Sequence, residues 1–116
     1  MKIGRLKKAL EKSWGKDTCY KPMKKDYEKN HPSYGQCYGT ALIVNDFFGG
    51  KILRYKFPEG ADHFSNLIEG KEVDLTREQF DKDEKFPKPE VIERKDLKSK
   101  EIYVLLKKRL MKILKK

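Results

Sequence analysis

Three side chains in the middle of this chain have the chemistry of a nucleophilic catalytic centre. Cys37 stands where a polar loop gives way to a predicted buried helix. The free N–H groups and the positive dipole end of a helix N-terminus favour thiolate over thiol, and a thiolate attacks acyl carbonyls. Gln36 precedes Cys37. Its amide and the Cys37 backbone N–H are the predicted donors to a developing oxyanion.

The other two catalytic candidates lie on a predicted hairpin. A tight turn at Glu69-Gly70-Lys71 that pairs Ile68 with Lys71 would place His63 and Asp74 diagonally on one face, within hydrogen-bond reach. Asp74 would then fix the imidazole tautomer, and His63 would exchange protons at Cys37. A one-residue slip would put them on opposite faces, so the predicted site depends on this register.

Helical and alternating apolar patterns predict the elements that must position these residues. The middle helix contains the apolar run Ala41–Val44, and Gly49-Gly50 ends it. Residues 15–35 are predicted as a loop with one helical turn at most, and residues 81–98 as a surface connection. The predicted elements are helices at Ile3–Trp14, Cys37–Phe48 and Glu101–Leu114, and strands at Lys51–Phe57, His63–Ile68 and Glu72–Leu75.

Length and composition indicate one α+β domain over residues 1–116, in which a buried central helix packs on a short antiparallel sheet between N- and C-terminal helices. No apolar stretch approaches the roughly 18 residues of a membrane span, so no membrane insertion is expected. The start of the chain lacks a signal-peptide pattern, and two cysteines cannot build a disulfide framework. A cytoplasmic protein with reduced cysteines is therefore predicted.

The charge is strongly positive but unevenly spread. The formal net charge is +10. Residues 1–35 carry ten basic and four acidic side chains, residues 36–79 five and seven, and residues 80–116 thirteen and seven. Basic ends suit a nucleic acid or an acidic partner, but lysine dominates over arginine and no nucleic-acid-binding motif is present. The candidate triad lies in the near-neutral middle, which favours a neutral or cationic substrate.

Simpler interpretations of the same residues stay open. Cys37 suits a buried core position, and His63 suits a structural role beside a strand. Cys19, His31, Cys37 and His63 are four candidate zinc ligands, but they lack the paired short spacing of structural zinc sites, so no metal is predicted. A Cys19–Cys37 disulfide would be an inactivating switch. No phosphate-binding or dinucleotide motif is present, so no cofactor is predicted.

Several short runs resemble the YunG-like family of small bacterial proteins. The resemblance covers about residues 9–80 and the last helix. The runs are Ser13-Trp14-Gly15-Lys16-Asp17-Thr18, Tyr34-Gly35-Gln36-Cys37, Thr40–Val44, Phe48-Gly49-Gly50, His63–Leu67, Asp74–Phe80 and Tyr103–Leu106.

The Cys–His–Asp order is in turn similar to that of the papain-like/transglutaminase-like superfamily. This similarity implies a small papain-like core with Cys37 as nucleophile, His63 as base and Asp74 as orienter. The papain-type glutamine lies several residues before its cysteine, whereas Gln36 is adjacent; if Gln36 points elsewhere, only backbone N–H groups are left to hold the oxyanion. Asn66 and Arg77 match the family pattern and are candidate substrate-binding residues; Arg77 could hold a carboxylate or pair with Asp74.

The sequence therefore predicts a cysteine-dependent hydrolase or acyltransferase. Its substrate would be a peptide-like or small-molecule acyl compound with an amide, ester or isopeptide bond. The alternative is a non-catalytic binding module of the same fold that holds nucleic acid or an acidic partner through its basic ends.

Overall fold

Three α-helices form where the helical pattern of apolar residues predicts them. They are α1 (Ile3–Ser13), α2 (Cys37–Phe48) and α3 (Glu101–Leu114). The computed structural model describes residues 1–115; Lys116, the last residue of the predicted basic C-terminal end, lies outside them. α2 is buried almost all round, because its apolar run meets the sheet on one side and α3 on the other.

The strands form one antiparallel sheet of four. They are β1 (Lys51–Tyr55), β2 (His63–Ile68), β3 (Lys71–Val73) and β4 (Glu90–Ile92), in the order β3-β2-β1-β4. Ile68 pairs with Lys71, which confirms the predicted register of the β2–β3 hairpin. The α+β class, with a central helix on a short sheet and helices at both ends, is likewise confirmed.

The two faces of the sheet have different partners. Ile52 and Asn66 pair across β1 and β2 and face α2, where Ile52 joins the apolar core. Tyr55 and His63 also pair, but their side chains lie on the opposite face. The core therefore fills one side of the sheet, and the candidate histidine belongs to the other.

Two predicted connections contain more structure than the sequence pattern indicated. Residues 81–98 were predicted as a surface connection, yet they include β4, which pairs with β1. β4 has only three residues, follows Pro89 and leaves Val91 exposed, so alternation could not reveal it. The predicted loop over residues 15–35 contains 3-10 helices at Lys16–Thr18 and Lys21–Lys29, more than the single turn expected.

Candidate active site

The turn before α2 places Cys37 at the first helical position. Gly35 adopts φ +73°, and a Cβ there would collide with the Sγ of Cys19. The Gly35 carbonyl accepts a hydrogen bond from the backbone N–H of Tyr20 at 2.9 Å, so the turn is held against the segment that precedes it. The half-buried Cys37 thiol then lies 3.8 Å from the carbonyl oxygen of Asp62, which directly precedes β2.

Gln36 is almost completely buried behind the nucleophile. Its Nε2 donates to the Gly15 carbonyl at 2.9 Å, and its Oε1 accepts from the Thr18 hydroxyl at 2.8 Å. These bonds tie the start of α2 to the segment after α1. The structure thus gives the amide a positioning task, and its predicted contact with an oxyanion remains a prediction.

His63 and Asp74 meet on the outer face of the hairpin, as the register requires. The distance from His63 Nε2 to Asp74 Oδ2 is 2.7 Å. The other carboxylate oxygen of Asp74 accepts from the backbone N–H and the hydroxyl of Thr76, at 3.1 and 3.3 Å. Asp74 follows the last residue of β3, and these bonds hold its carboxylate in position beside the imidazole.

The second nitrogen of His63 is the unusual feature of the site. Its Nδ1 is buried and has no hydrogen bond of regular geometry. Burial alone would lower the pKa of the imidazole, but hydrogen bonds and charge from Asp74 and Cys37 outweigh it and raise that pKa from 6.5 to about 9. Because Asp74 occupies Nε2, the nitrogen left for the Cys37 thiol is Nδ1. In the neutral tautomer that Asp74 selects, Nδ1 has a lone pair, and a proton taken there from the thiol gives the imidazolium that the raised pKa favours.

Four rings, which we call the aromatic wall, cover the imidazole on the side away from α2. They are Tyr55, Phe57, Phe80 and Phe86. The ring centroids of Phe80 and Phe86 lie 4.8 and 5.4 Å from that of His63, and only 1% of His63 is exposed. The wall shields the His63–Asp74 hydrogen bond from water, which strengthens the electrostatic interaction between the two groups.

A separate carboxylate holds Tyr55 in the wall. The Tyr55 hydroxyl and the Ser65 hydroxyl both donate to Glu72 Oε2 at 2.7 Å. Burial and the Glu72 carboxylate raise the pKa of Tyr55, so this phenol stays a hydrogen-bond donor. Its ring is therefore fixed beside His63, with centroids 6.0 Å apart.

Arg77 supports the wall rather than pairing with Asp74. Its guanidinium donates to the backbone carbonyls of Asp81, Lys82 and Glu84 and lies 4.6 Å from the centroid of the Phe86 ring. These contacts fold the segment that carries Phe86 over the histidine.

Asn66 lies on the face of the sheet that packs against α2. Its Nδ2 donates to the Ala41 carbonyl at 2.8 Å beneath α2, and 2% of the residue is exposed. Neither Asn66 nor Arg77 lines the cleft beside Cys37. Both have structural partners, and their predicted contacts with a substrate remain predictions.

A cleft of about 360 Å³ opens beside Cys37. Its walls come from the 3-10 helix over residues 21–29, the starts of α2 and α3, and the ends of β1 and β2. The lining residues include Met23, Tyr38, Arg54, Asp62, Phe64 and Lys100. The volume is that of a small-molecule or peptide side-chain pocket, and the thiol lies within it.

The sequence left two other roles open for the cysteines, a Cys19–Cys37 disulfide and zinc binding. Cys19 and Cys37 are both free thiols, and burial raises the pKa of Cys19 to about 11. Within residues 1–115, no three His, Cys, Asp or Glu side chains lie close enough together to hold a metal ion.

Over the same residues, no helix combines the length and apolar character needed to cross a bilayer.

Comparison with known proteins places the chain in a family. The uncharacterized protein YunG of Bacillus subtilis (strain 168) is 39% identical over 75 residues, which are 65% of this chain and 60% of that relative. The family model described as YunG protein matches residues 2–115. The chain belongs to the YunG family. Its predicted family is thus confirmed, and it spans less than two thirds of the Bacillus YunG protein.

No solved structure matches this YunG-family chain. No solved structure therefore supports the predicted likeness to papain-like and transglutaminase-like proteins. What the structure does bring together are the runs that suggested the YunG family: Tyr34–Cys37 at the helix start, His63 on β2 and Asp74–Phe80 after β3.

Sequence reasoning missed two groups of residues at this YunG-family site. Phe86 was overlooked in the segment after residue 80, although it is an aromatic residue inside an otherwise charged run. Lys98 and Lys100 line the cleft, but a basic pair near a helix start gives no signal in the sequence. Their position also bears on the charge of the substrate. By sequence the candidate triad lies in the near-neutral middle of the chain, but the fold brings two lysines from just before α3 to the cleft beside Cys37.

Proposed function

We propose that this protein is a cysteine-dependent hydrolase or acyltransferase, with Cys37 as nucleophile, His63 as general base and acid, and Asp74 as the residue that orients His63. One observation carries the proposal: Nε2 of His63 is hydrogen-bonded to Asp74, its buried Nδ1 has no regular partner, and Cys37 is close enough to contribute to the raised pKa of the imidazole. A purely structural histidine at this depth would use both nitrogens.

The chemistry follows from that arrangement. The Cys37 thiol gives its proton to Nδ1 of His63, and the thiolate attacks the carbonyl carbon of an amide, ester or isopeptide bond. A carbon–sulfur bond forms, the imidazolium returns the proton to the departing nitrogen or oxygen, and the acyl–leaving-group bond breaks. Water or an amine then attacks the acyl-enzyme, His63 takes its proton, and the carbon–sulfur bond breaks to regenerate Cys37.

Other residues support the reaction without touching the reacting atoms. The first N–H groups of α2 have no acceptor within the helix and are the oxyanion donors of the proposal, while Gln36 positions them. A cysteine at a helix start with His and Asp on neighbouring strands is the arrangement of papain-like and transglutaminase-like enzymes, and the proposal extends to that likeness. The two free thiols support a cytoplasmic location.

The alternative, a binding module that uses its basic ends, gains no specific support. Some basic side chains of both ends pair with acidic groups, as in Lys7–Glu78 at 2.9 Å and Lys107–Asp46 at 2.7 Å. A steep loss of affinity for nucleic acid with added salt, in a protein whose Cys37 is inert, would favour that alternative.

The proposal is tested by following an acyl-enzyme directly. The protein is mixed with p-nitrophenyl acetate, and intact-protein and peptide mass spectrometry follow acetylation at Cys37 over time. We expect an adduct on Cys37 that forms and then disappears as water resolves it, with both steps slowed roughly 10²-fold or more in His63→Gln. Cys37→Ala is the control for acetylation elsewhere. An adduct that forms equally fast in His63→Gln, or none on Cys37, contradicts the proposal.

A further inference from the structure

We infer that the cleft beside Cys37 selects acyl substrates that carry a carboxylate or a similar anionic group near the bond under attack. The inference rests on the proposed function and adds a substrate class to it. It is carried by the charges that line the cleft and by the contacts that hold those charges in place.

Three cationic and two anionic side chains line the cleft, and their pairing decides its character. Arg54 and Asp62 neutralise each other, with Arg54 Nε 2.8 Å from Asp62 Oδ2. Asp96 Oδ2 accepts from the backbone N–H of Glu93 at 3.4 Å, a bond made within the 3-10 turn that carries Asp96.

Two lysines remain as the cations that a substrate can meet. Lys98 and Lys100 form no ion pair with an acidic side chain within the part of the chain that the structure describes. Both line the cavity that contains the Cys37 thiol, and Asp96 adds one negative charge that only a backbone N–H contacts, so the lining is positive by one charge in sum. An anion there gains Coulomb energy from this excess of positive charge.

Tyr38, the residue after Cys37, holds the segment with Lys98 and Lys100 in position. The Tyr38 hydroxyl donates to the Lys98 carbonyl at 2.6 Å, and the Lys100 ammonium lies 4.4 Å from the centre of the Tyr38 ring. Tyr38 also packs edge-on against Phe64 at 5.1 Å. The lysine segment is thus fixed relative to α2 and Cys37, because one rigid ring contacts all of these parts.

The rest of the lining limits the shape of the substrate. The apolar part of the lining comes from Met23, Ala61, Phe64, Leu97 and Ile102. A substrate that suits both surfaces has a short apolar body and an anionic group, with its acyl carbon at Cys37. The distribution of charge along the sequence predicted a neutral or cationic substrate. The lining of the cleft leads us to infer an anionic one instead.

Two alkylating reagents of similar size, one anionic and one neutral, test this inference. Iodoacetate carries a carboxylate where iodoacetamide carries a neutral amide. The ratio of their rates at Cys37, divided by the same ratio for N-acetylcysteine amide, reports the preference of the cleft for an anion. We expect this normalised ratio to be about fivefold at low salt and to fall as salt is added.

Variants of matched charge assign the effect to the cleft. In Lys98→Gln/Lys100→Gln the normalised ratio is expected to fall, leaving only the part that the positive charge of His63 supplies. In Lys108→Gln/Lys112→Gln, which removes the same charge from exposed positions of α3, it should stay elevated. All four lysine side chains are exposed, so these variants should fold, and circular dichroism checks that they do.

Each outcome decides the inference. A normalised ratio of one or below in the wild type, or an equal ratio in the two double variants, overturns it. A Cys37 that reacts with neither reagent also overturns it, since the cleft would then be closed to a small anion. The iodoacetamide rate reports separately on the proposed function: if Cys37 reacts with it no faster than N-acetylcysteine amide does, yet prefers iodoacetate, activation of the thiol fails while the anion preference stands.

Discussion

Replacing Asp74 by asparagine isolates the charge that holds His63 in its protonated form. The side chain keeps its size and an oxygen acceptor, but the carboxylate that lies 2.7 Å from Nε2 is lost. In the wild type, the shift of the His63 pKa from 6.5 to about 9 corresponds to about 3 kcal/mol of preference for the imidazolium. Asp74 and Cys37 supply that preference against the cost of burial, so we expect Asp74→Asn to remove about 1 to 2 kcal/mol of it.

The sign of the pH dependence follows from the direction of the shift. A folded-state pKa above the unfolded value gives a stabilisation that is complete below pH 6.5 and is lost as the pH rises through about 9. We therefore expect the free energy of unfolding to fall over this range in the wild type, and to fall less in Asp74→Asn. Urea denaturation at several pH values measures the difference, and the imidazole NMR signals give the pKa directly.

The control is Asp83→Asn, an exposed carboxylate on the segment after residue 80. It should leave the pH dependence of the wild type intact. An Asp74→Asn protein with the same His63 pKa and the same pH dependence as the wild type would refute the reasoning, because Asp74 would then not stabilise the imidazolium.

Three further substitutions test the contacts around the site. Phe86→Ala should admit water to the His63–Asp74 hydrogen bond, so the low-field NMR signal of that imidazole N–H should broaden; an unchanged signal would contradict the shielding role. Gly35→Ala should lower the free energy of unfolding by about 2 to 4 kcal/mol in urea, because φ +73° and the nearby sulfur atom both oppose a Cβ; wild-type stability would argue against this turn. Asn66→Ala should cost about 1 kcal/mol in the same assay, since it removes a buried hydrogen bond to the Ala41 carbonyl; unchanged stability with a loss of substrate affinity would favour the predicted binding role.

The hairpin was predictable because its register is set locally. The turn at Glu69–Lys71 fixes Ile68 opposite Lys71, and the two-residue period of the strands then places His63 and Asp74 on one face. The helix bounds of α2 were predictable for a similar reason, since the apolar run and Gly49 mark its extent within a few residues.

The fourth strand and the aromatic wall depend on contacts between distant parts of the chain. β4 exists because Val91 and its neighbours pair with β1, some forty residues earlier in sequence, and three residues carry too little pattern to show it. Phe86 covers His63 because Arg77 donates hydrogen bonds to the backbone carbonyls of the segment before Phe86 and holds that segment in place. Neither interaction has a period or a short motif that a single sequence can display.

The roles of polar residues were the hardest to predict from type alone. Gln36 and Asn66 have side chains suited to an oxyanion or a substrate, and the structure buries both against backbone carbonyls. An amide serves equally well as a catalytic donor or as a structural tie, and only its surroundings distinguish the two. Lys98 and Lys100 illustrate the reverse case, since ordinary surface lysines by sequence become part of the cleft through the Tyr38 contact.

The most direct test of the central claim is the rate of iodoacetamide alkylation at Cys37 as a function of pH, with Cys19 as an internal control. Peptide mass spectrometry resolves the two cysteines in one sample. Cys19, whose pKa burial raises to about 11, should stay unreactive at neutral pH. We expect Cys37 to be alkylated much faster than Cys19 at pH 7, and His63→Gln to abolish this difference. A Cys37 that reacts slowly at neutral pH, or equally fast with and without His63, would contradict the claim that the two residues form a catalytic pair.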